Sequence, residues 1–282
     1  MSELNTNNRL IKFFELRRDK NKNTHESDGD KVMSLFITAG YPDLESTADL
    51  VLGLEKNGAD IIELGMPFSD PLADGPTIQF ASNEAIRNGI TMEGILSMVR
   101  EVRKSSDIPI LLMGYINPIL KFGVESFCKK ASDAGADGLI IPDVTLEESA
   151  LITEPASANN LSLVYLVAPN TSSARMRKID DVSNGFVYCV SVTGVTGARE
   201  GSEIAQSVQR FIDRVNENVT KNPKLIGFGI RSYEDARRIS EFADGFIVGS
   251  ALIDEIRKNY PQNGWKEEVY KFVKHLKFGN IN

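Results

Sequence analysis

The sequence predicts an α/β chain folded as a single (β/α)8 TIM barrel, and three observations carry that prediction. Eight short apolar runs recur along the 282 residues. Each is rich in Val, Ile, Leu and Phe and nearly continuous in hydrophobicity, as parallel strands covered on both faces should be. Each is followed by a segment of helical period, and eight such alternations over this length favour a closed barrel over an open sheet. An open doubly wound sheet would more often show fewer strands and a GxGxxG turn after the first; here the first run ends in TAGYPD.

In chain order, RLIKFFELRR (9–18) is an amphipathic segment suited to cap the barrel bottom, an extra helix before the repeat begins. The following DKNKNTHESDGDK (19–31) is strongly polar and is expected to be a flexible insert. VMSLFITAG (32–40) is the first strand candidate. The helix after it opens beyond Pro42 with acidic residues and stops at Gly58. The remaining strand candidates are DIIELG (60–65), IPILLMGY (108–115), DGLIIPD (137–143), LSLVYLVAP (161–169), GFVYCVSV (185–192), KLIGFGI (224–230) and DGFIVGSA (244–251). The phrases NGAD (57–60), AGAD (134–137) and FADG (242–245) mark helix ends that feed strands through tight turns. WKEEVYKFVKHLKF (265–278) spaces Val269, Phe272, Val273 and Leu276 as one helical face, a C-terminal helix on the outside. Residues 1–282 read as one domain.

The net charge of −7 argues against a nucleic-acid or anionic membrane surface as the main partner. It leaves room for a small phosphorylated ligand, which backbone amides can hold. Cys128 and Cys189 each sit inside an apolar stretch and read as buried small hydrophobes. His25 and His275 belong to no metal-like cluster, so neither a metal site nor a Ser-His-Asp site is expected. With no signal pattern and no membrane-length apolar run, the expected location is the cytoplasm.

In a barrel of this kind the chemistry sits at the C-terminal ends of the strands and in the loops that follow. The second unit, ELGMPFSDPLADGPTIQFASNEAIRNG (63–89), interrupts an apolar strand with Glu63. A buried unpaired carboxylate is costly, so it is either paired or functional. Asp70 and Asp74 follow in a loop stiffened by Pro67, Pro71 and Pro76. Glu63 with one loop aspartate reads as a catalytic pair; the competing reading is a structural carboxylate capping a neighbouring loop.

The segment ELGMPFSDPLADGPTIQ resembles the signature of the tryptophan synthase alpha chain family. The resemblance continues through FITAGYP (36–42), LLMGYINPI (111–119), GADGLIIPD (135–143), YCVSVTGVTGAR (188–199), GFGI (227–230) and ADGFIVGSALI (243–253). It implies retro-aldol cleavage of indole-3-glycerol phosphate to indole and glyceraldehyde 3-phosphate, with Glu63 and Asp74 as the catalytic carboxylates. Glu63 would protonate indole C3 and take a proton from the neighbouring hydroxyl, with a pKa raised by its apolar neighbours. Asp74, kept ionised in a more polar loop, would accept the indole N–H. Gly197, Gly229, Gly249 and Ser250 would bind the phosphate, and Thr196 would lie in a lid that touches the second loop. Phe36, Leu112, Tyr115, Ile140, Tyr188 and Phe228 would line the indole pocket. Pro67, Asp70, Pro71 and Asn117 would face a beta chain that carries pyridoxal phosphate, in an alpha2-beta2 heterotetramer. No cofactor is expected in this chain. The alternatives are a stand-alone lyase, another phosphosugar barrel, and a catalytically weak barrel that mainly activates its partner.

Overall fold

The structure, a computed structural model, describes residues 8–23, 31–190, 202–227 and 229–280. The chain opens with α1 (Arg9–Asn23), β1 (Val32–Thr38), α2 (Ser46–Lys56) and β2 (Ile61–Gly65). There follow α3 (Pro76–Arg87), α4 (Met92–Arg103), β3 (Ile110–Met113), α5 (Ile116–Phe122), α6 (Val124–Ala134) and β4 (Gly138–Ile140). Next come α7 (Ala150–Ala158), β5 (Ser162–Val164), β6 (Leu166–Val167), α8 (Ser173–Val182), β7 (Val187–Val190) and α9 (Ser202–Asn218). The chain ends with β8 (Lys224–Gly227), α10 (Tyr233–Ser240), β9 (Gly245–Val248), α11 (Ser250–Asn259) and α12 (Trp265–Phe278).

All strand pairs are parallel, in the order β5-β4-β3-β2-β1-β9-β8-β7-β6. The two ends of this sheet, β5 and β6, are separated in the chain by Tyr165 alone. They are one stave, split because the chain leaves β4 and joins β7 at that residue, so the sheet closes into an eight-staved barrel.

Side-chain parity along the strands divides the core in two. Val32, Ile61, Leu111, Ile140, Val164, Phe186, Leu225 and Ile247 form the barrel interior. Leu35, Ile37, Ile62, Leu64, Ile110, Leu112 and Leu139 point the other way and pack with the surrounding helices. Leu10, Phe13 and Phe14 of α1 join the interior cluster, which closes one end of the barrel and leaves the C-terminal strand ends as the open mouth. An ion cluster fixes this closure: Arg103 and Arg9 reach the buried Asp137 at 2.7 and 3.2 Å, and Asp137 also accepts from the Ile110 N–H.

α1 runs to Asn23, so the polar segment expected over 19–31 begins inside a helix. Residues 24–30 lie outside the described residues. Cys128 and Cys189 are buried free thiols. No helix among the described residues is long and apolar enough to cross a membrane.

Candidate active site

Glu63 is fully buried, at 0% exposure. It pairs in register with Phe36 of β1 and Leu111 of β3, which places it on the inner face of the barrel. The Ser34 hydroxyl donates to Oε1 at 2.7 Å, while Oε2 has no partner among the described residues. Burial pushes the carboxyl up to about 7, and the Ser34 bond holds it from going higher. The next inward position on β2 is Gly65, where a Cβ would stand 2.5 Å from the Phe36 ring. Glycine there lets that ring lie across the barrel mouth.

The second carboxylate comes from the β2–α3 loop. The Asp74 N–H donates to the Pro71 carbonyl at 3.0 Å, and its own carbonyl accepts from Gln79 Nε2 at 2.9 Å. Tyr115, at the start of α5, reaches over: its hydroxyl accepts from the Ala73 N–H at 2.9 Å and bonds the Asp74 carboxylate. Burial lifts Asp74 to about 6, against the lowering effect of that phenol. The expectation of a carboxylate in polar surroundings is thus corrected: Asp74 is half-buried, and only its Tyr115 bond offsets the desolvation.

Tyr188 on β7 connects the pair. Its phenol is raised well above the usual value by burial and then by the nearby charges of Glu63 and Asp74. Phe36 and Ile140 belong to the inward positions of the same barrel. Leu112 does not. It is fully buried in the outer layer with the helices, and Met113 takes the inward position, in register with Gly65 and Ile140. Adjacent strand residues face opposite sides, so a one-residue error in parity exchanges the pocket for the outer core. Tyr115 is held against Phe68, with ring centres 5.6 Å apart, and serves Asp74 through its hydroxyl. Phe228 lies outside the described residues.

The β8 and β9 termini bring two glycines to the barrel mouth. Gly229 has φ +62°, in the left-handed region that favours glycine. Gly249 precedes α11 with no side-chain cap, and its carbonyl accepts from the Leu252 and Ile253 N–H groups at 2.9 and 3.1 Å. The N–H groups of Ser250 and Ala251 therefore have no acceptor within the helix and are free to meet an anion. The neighbouring α10 differs, because the Ser232 hydroxyl accepts its Asp235 N–H. A Cβ at Gly249 would stand 3.5 Å from Phe36 Cβ, so this helix start adjoins the aromatic wall. Gly197 and Thr196 lie outside the described residues.

Asp70 and Asn117 are exposed and Pro67 and Pro71 half-buried, all on the loop and helix that frame Asp74. Between them Leu72 is 96% exposed, an apolar side chain unpacked on the rim. Three residues that the sequence reading passed over have structural roles here: Ser34, Met113, and Asp143, whose carboxylate accepts the Ile116 N–H at the start of α5.

The profile of the tryptophan synthase alpha chain family matches residues 23–279. A tryptophan synthase alpha chain from Thermoanaerobacter sp. (strain X514) is 47% identical over 261 residues, covering 93% of this chain and 98% of that protein. One from Christiangramia forsetii is 44% identical over 248 residues, covering 88% and 94%. Among solved structures, the alpha chain from Legionella pneumophila superposes with a TM-score of 0.83 at 35% identity, covering 96% of each chain. A tryptophan synthase structure from M. tuberculosis gives 0.81 at 30% identity, over 96% of this chain and 98% of that one.

Proposed function

The chain belongs to the tryptophan synthase alpha chain family, and we propose that it cleaves indole-3-glycerol phosphate with Glu63 as proton-transfer group and Asp74 as charge-stabilising carboxylate. The reaction class is a carbon–carbon lyase of aldolase type. The observation that carries the assignment of roles is the pair itself. A fully buried carboxyl, with one oxygen unpartnered among the described residues, and a loop carboxylate held by Tyr115 both act electrostatically on Tyr188.

The bond to be broken joins indole C3 to the carbinol carbon of the glycerol chain. Glu63, poised near neutrality, gives its proton to C3, and the ring nitrogen takes up the positive charge. Asp74 accepts the indole N–H and stabilises that cation. The ionised Glu63 then removes the proton of the carbinol hydroxyl. Its O–H electrons become the aldehyde π bond, and the C3–carbon pair returns to the ring as indole. Glu63 ends protonated, and indole and glyceraldehyde 3-phosphate account for every atom. The phosphate belongs with Gly229, Gly249 and the Ser250 amide; Phe36, Met113, Ile140 and Tyr188 enclose the indole.

This chemistry asks for no cofactor in this chain. The reading gives it a beta-chain partner that holds pyridoxal phosphate, in an alpha2-beta2 complex in the cytoplasm, docked on Pro67, Asp70, Pro71 and Asn117 and covering Leu72. The test is indole release from indole-3-glycerol phosphate by the purified chain, with and without a beta chain. Absence of release under both conditions, from folded protein, would sink the reading.

A further inference from the structure

Ser34 is a polar residue in an apolar ring. Its register partners, Ile61 on β2 and Ile247 on β9, are interior aliphatics, and Ser34 itself is fully buried. A hydroxyl in such a place needs a partner, and it has one: Oε1 of Glu63, one layer nearer the mouth. We propose that Ser34 is a positioning residue for the cleavage, whose hydroxyl fixes which oxygen of Glu63 carries the reacting proton and eases release of that proton. The proposal rests on the reading of Glu63 as the proton-transfer group.

Valence decides which oxygen carries the proton. A carboxyl oxygen that accepts the Ser34 hydroxyl is the carbonyl oxygen of the acid form, so the acid proton resides on Oε2. Oε2 is the oxygen without a partner among the described residues, and it is the one free to meet substrate. When that proton moves to indole C3, the carboxylate left behind keeps the Ser34 donor, and a donor to the charged form favours it. Without Ser34 the carboxyl would rotate between two equivalent oxygens and hold its proton more tightly. The ionisable groups near the site are Tyr188 of β7, whose phenol feels the Glu63 charge, and Asp74 of the β2–α3 loop, which acts on the same phenol. Neither offers Glu63 a hydrogen bond among the described residues, so Ser34 is the one donor that sets its orientation there.

Ser34→Val and Ser34→Thr separate the hydroxyl from packing, since both add the same branched bulk to a filled site and only Thr retains the O–H. In the cleavage assay the alkaline limb of the pH profile of kcat/KM is expected to move up by roughly one pH unit in Ser34→Val. In the same variant kcat is expected to fall about tenfold, with KM little changed. Ser34→Thr is expected to restore the wild-type limb. Ser34→Ala gives the same comparison against wild type without added volume, should the branched variants not fold. Glu63→Gln, run beside them, separates the two readings. If Glu63→Gln is inactive but Ser34→Val and Ser34→Thr share one profile, the Ser34 proposal alone is overturned. If Glu63→Gln retains cleavage, the assignment of Glu63 fails and this proposal with it.

Discussion

At the level of single residues, burial sets both the chemistry and the cost of Glu63. A carboxyl raised from its ordinary 4.5 to about 7 binds a proton in the folded state that the unfolded chain releases. Stability therefore declines as pH rises from 4.5 through 7 and levels off above, by about 3 kcal/mol for a shift of this size. Glu63→Gln is expected to abolish cleavage by roughly 10²–10⁴-fold or more, since one group moves two protons. It should also unfold at higher denaturant than wild type at pH 8, with the difference vanishing below pH 4.5. A Glu63→Gln protein less stable than wild type at pH 8 would contradict a buried Oε2 with no partner among the described residues. Asp74 must be ionised and Glu63 protonated at the start of turnover, so kcat/KM should fall below about 6 and above about 7. Asp74→Asn is expected to lose cleavage and, in what remains, the acid limb; a retained acid limb would assign it to another group. Glu63 was legible in the sequence because a charge inside an apolar strand is conspicuous. Ser34 was not, because a serine in such a run signals nothing until its partner is seen. Leu112 and Met113 were indistinguishable because both are apolar, and only the register separates the inner face from the outer.

At the level of elements, periodicity located every strand and the closing helix, and α12 spans the 265–278 that its apolar spacing predicts. It did not reveal that α1 continues through polar residues to Asn23, because those residues present no apolar spacing for periodicity to detect. Nor did it reveal the break at Tyr165, which depends on which neighbours the stave pairs with. The proposed anion site is an element-scale property: β9 delivers the chain to Gly249, and α11 starts there without a side-chain cap. A Cβ at Gly249 would make only ordinary contact with Phe36, so Gly249→Ala is compatible with the packing. A larger side chain should block approach of an anion to the Ser250 amide. Calorimetric titration of Gly249→Val is expected to show glycerol 3-phosphate binding weakened at least about tenfold while indole binding persists. Equal loss of both ligands would move the phosphate elsewhere in the mouth.

For the whole molecule, the question is how a partner on the rim reaches the carboxylates. The β2–α3 loop carries Asp70, Pro71 and the exposed Leu72 on its outer side and Asp74 on its inner side. Two restraints join these sides, the Pro71 carbonyl and the Tyr115 hydroxyl. The Pro71 carbonyl holds the Asp74 N–H, and the Tyr115 hydroxyl holds both the Ala73 N–H and the Asp74 carboxylate. A beta chain seated on Leu72 would favour the loop arrangement that presents Asp74, and its stimulation cannot exceed the reciprocal of the competent fraction in the free chain. Tyr115→Phe removes one of the two restraints, so that fraction should fall and the free chain should cleave more slowly. A beta chain docked there would supply the missing order from outside, so its stimulation factor should be larger in Tyr115→Phe than in wild type, and the two saturated rates should lie closer together than the two basal rates. Leu72→Ser, by contrast, should weaken association by about tenfold and leave the stimulation at saturation intact. Cleavage rates across a beta-chain titration give both quantities from one curve. An identical stimulation factor in Tyr115→Phe and wild type would mean that the partner acts on some element other than this loop.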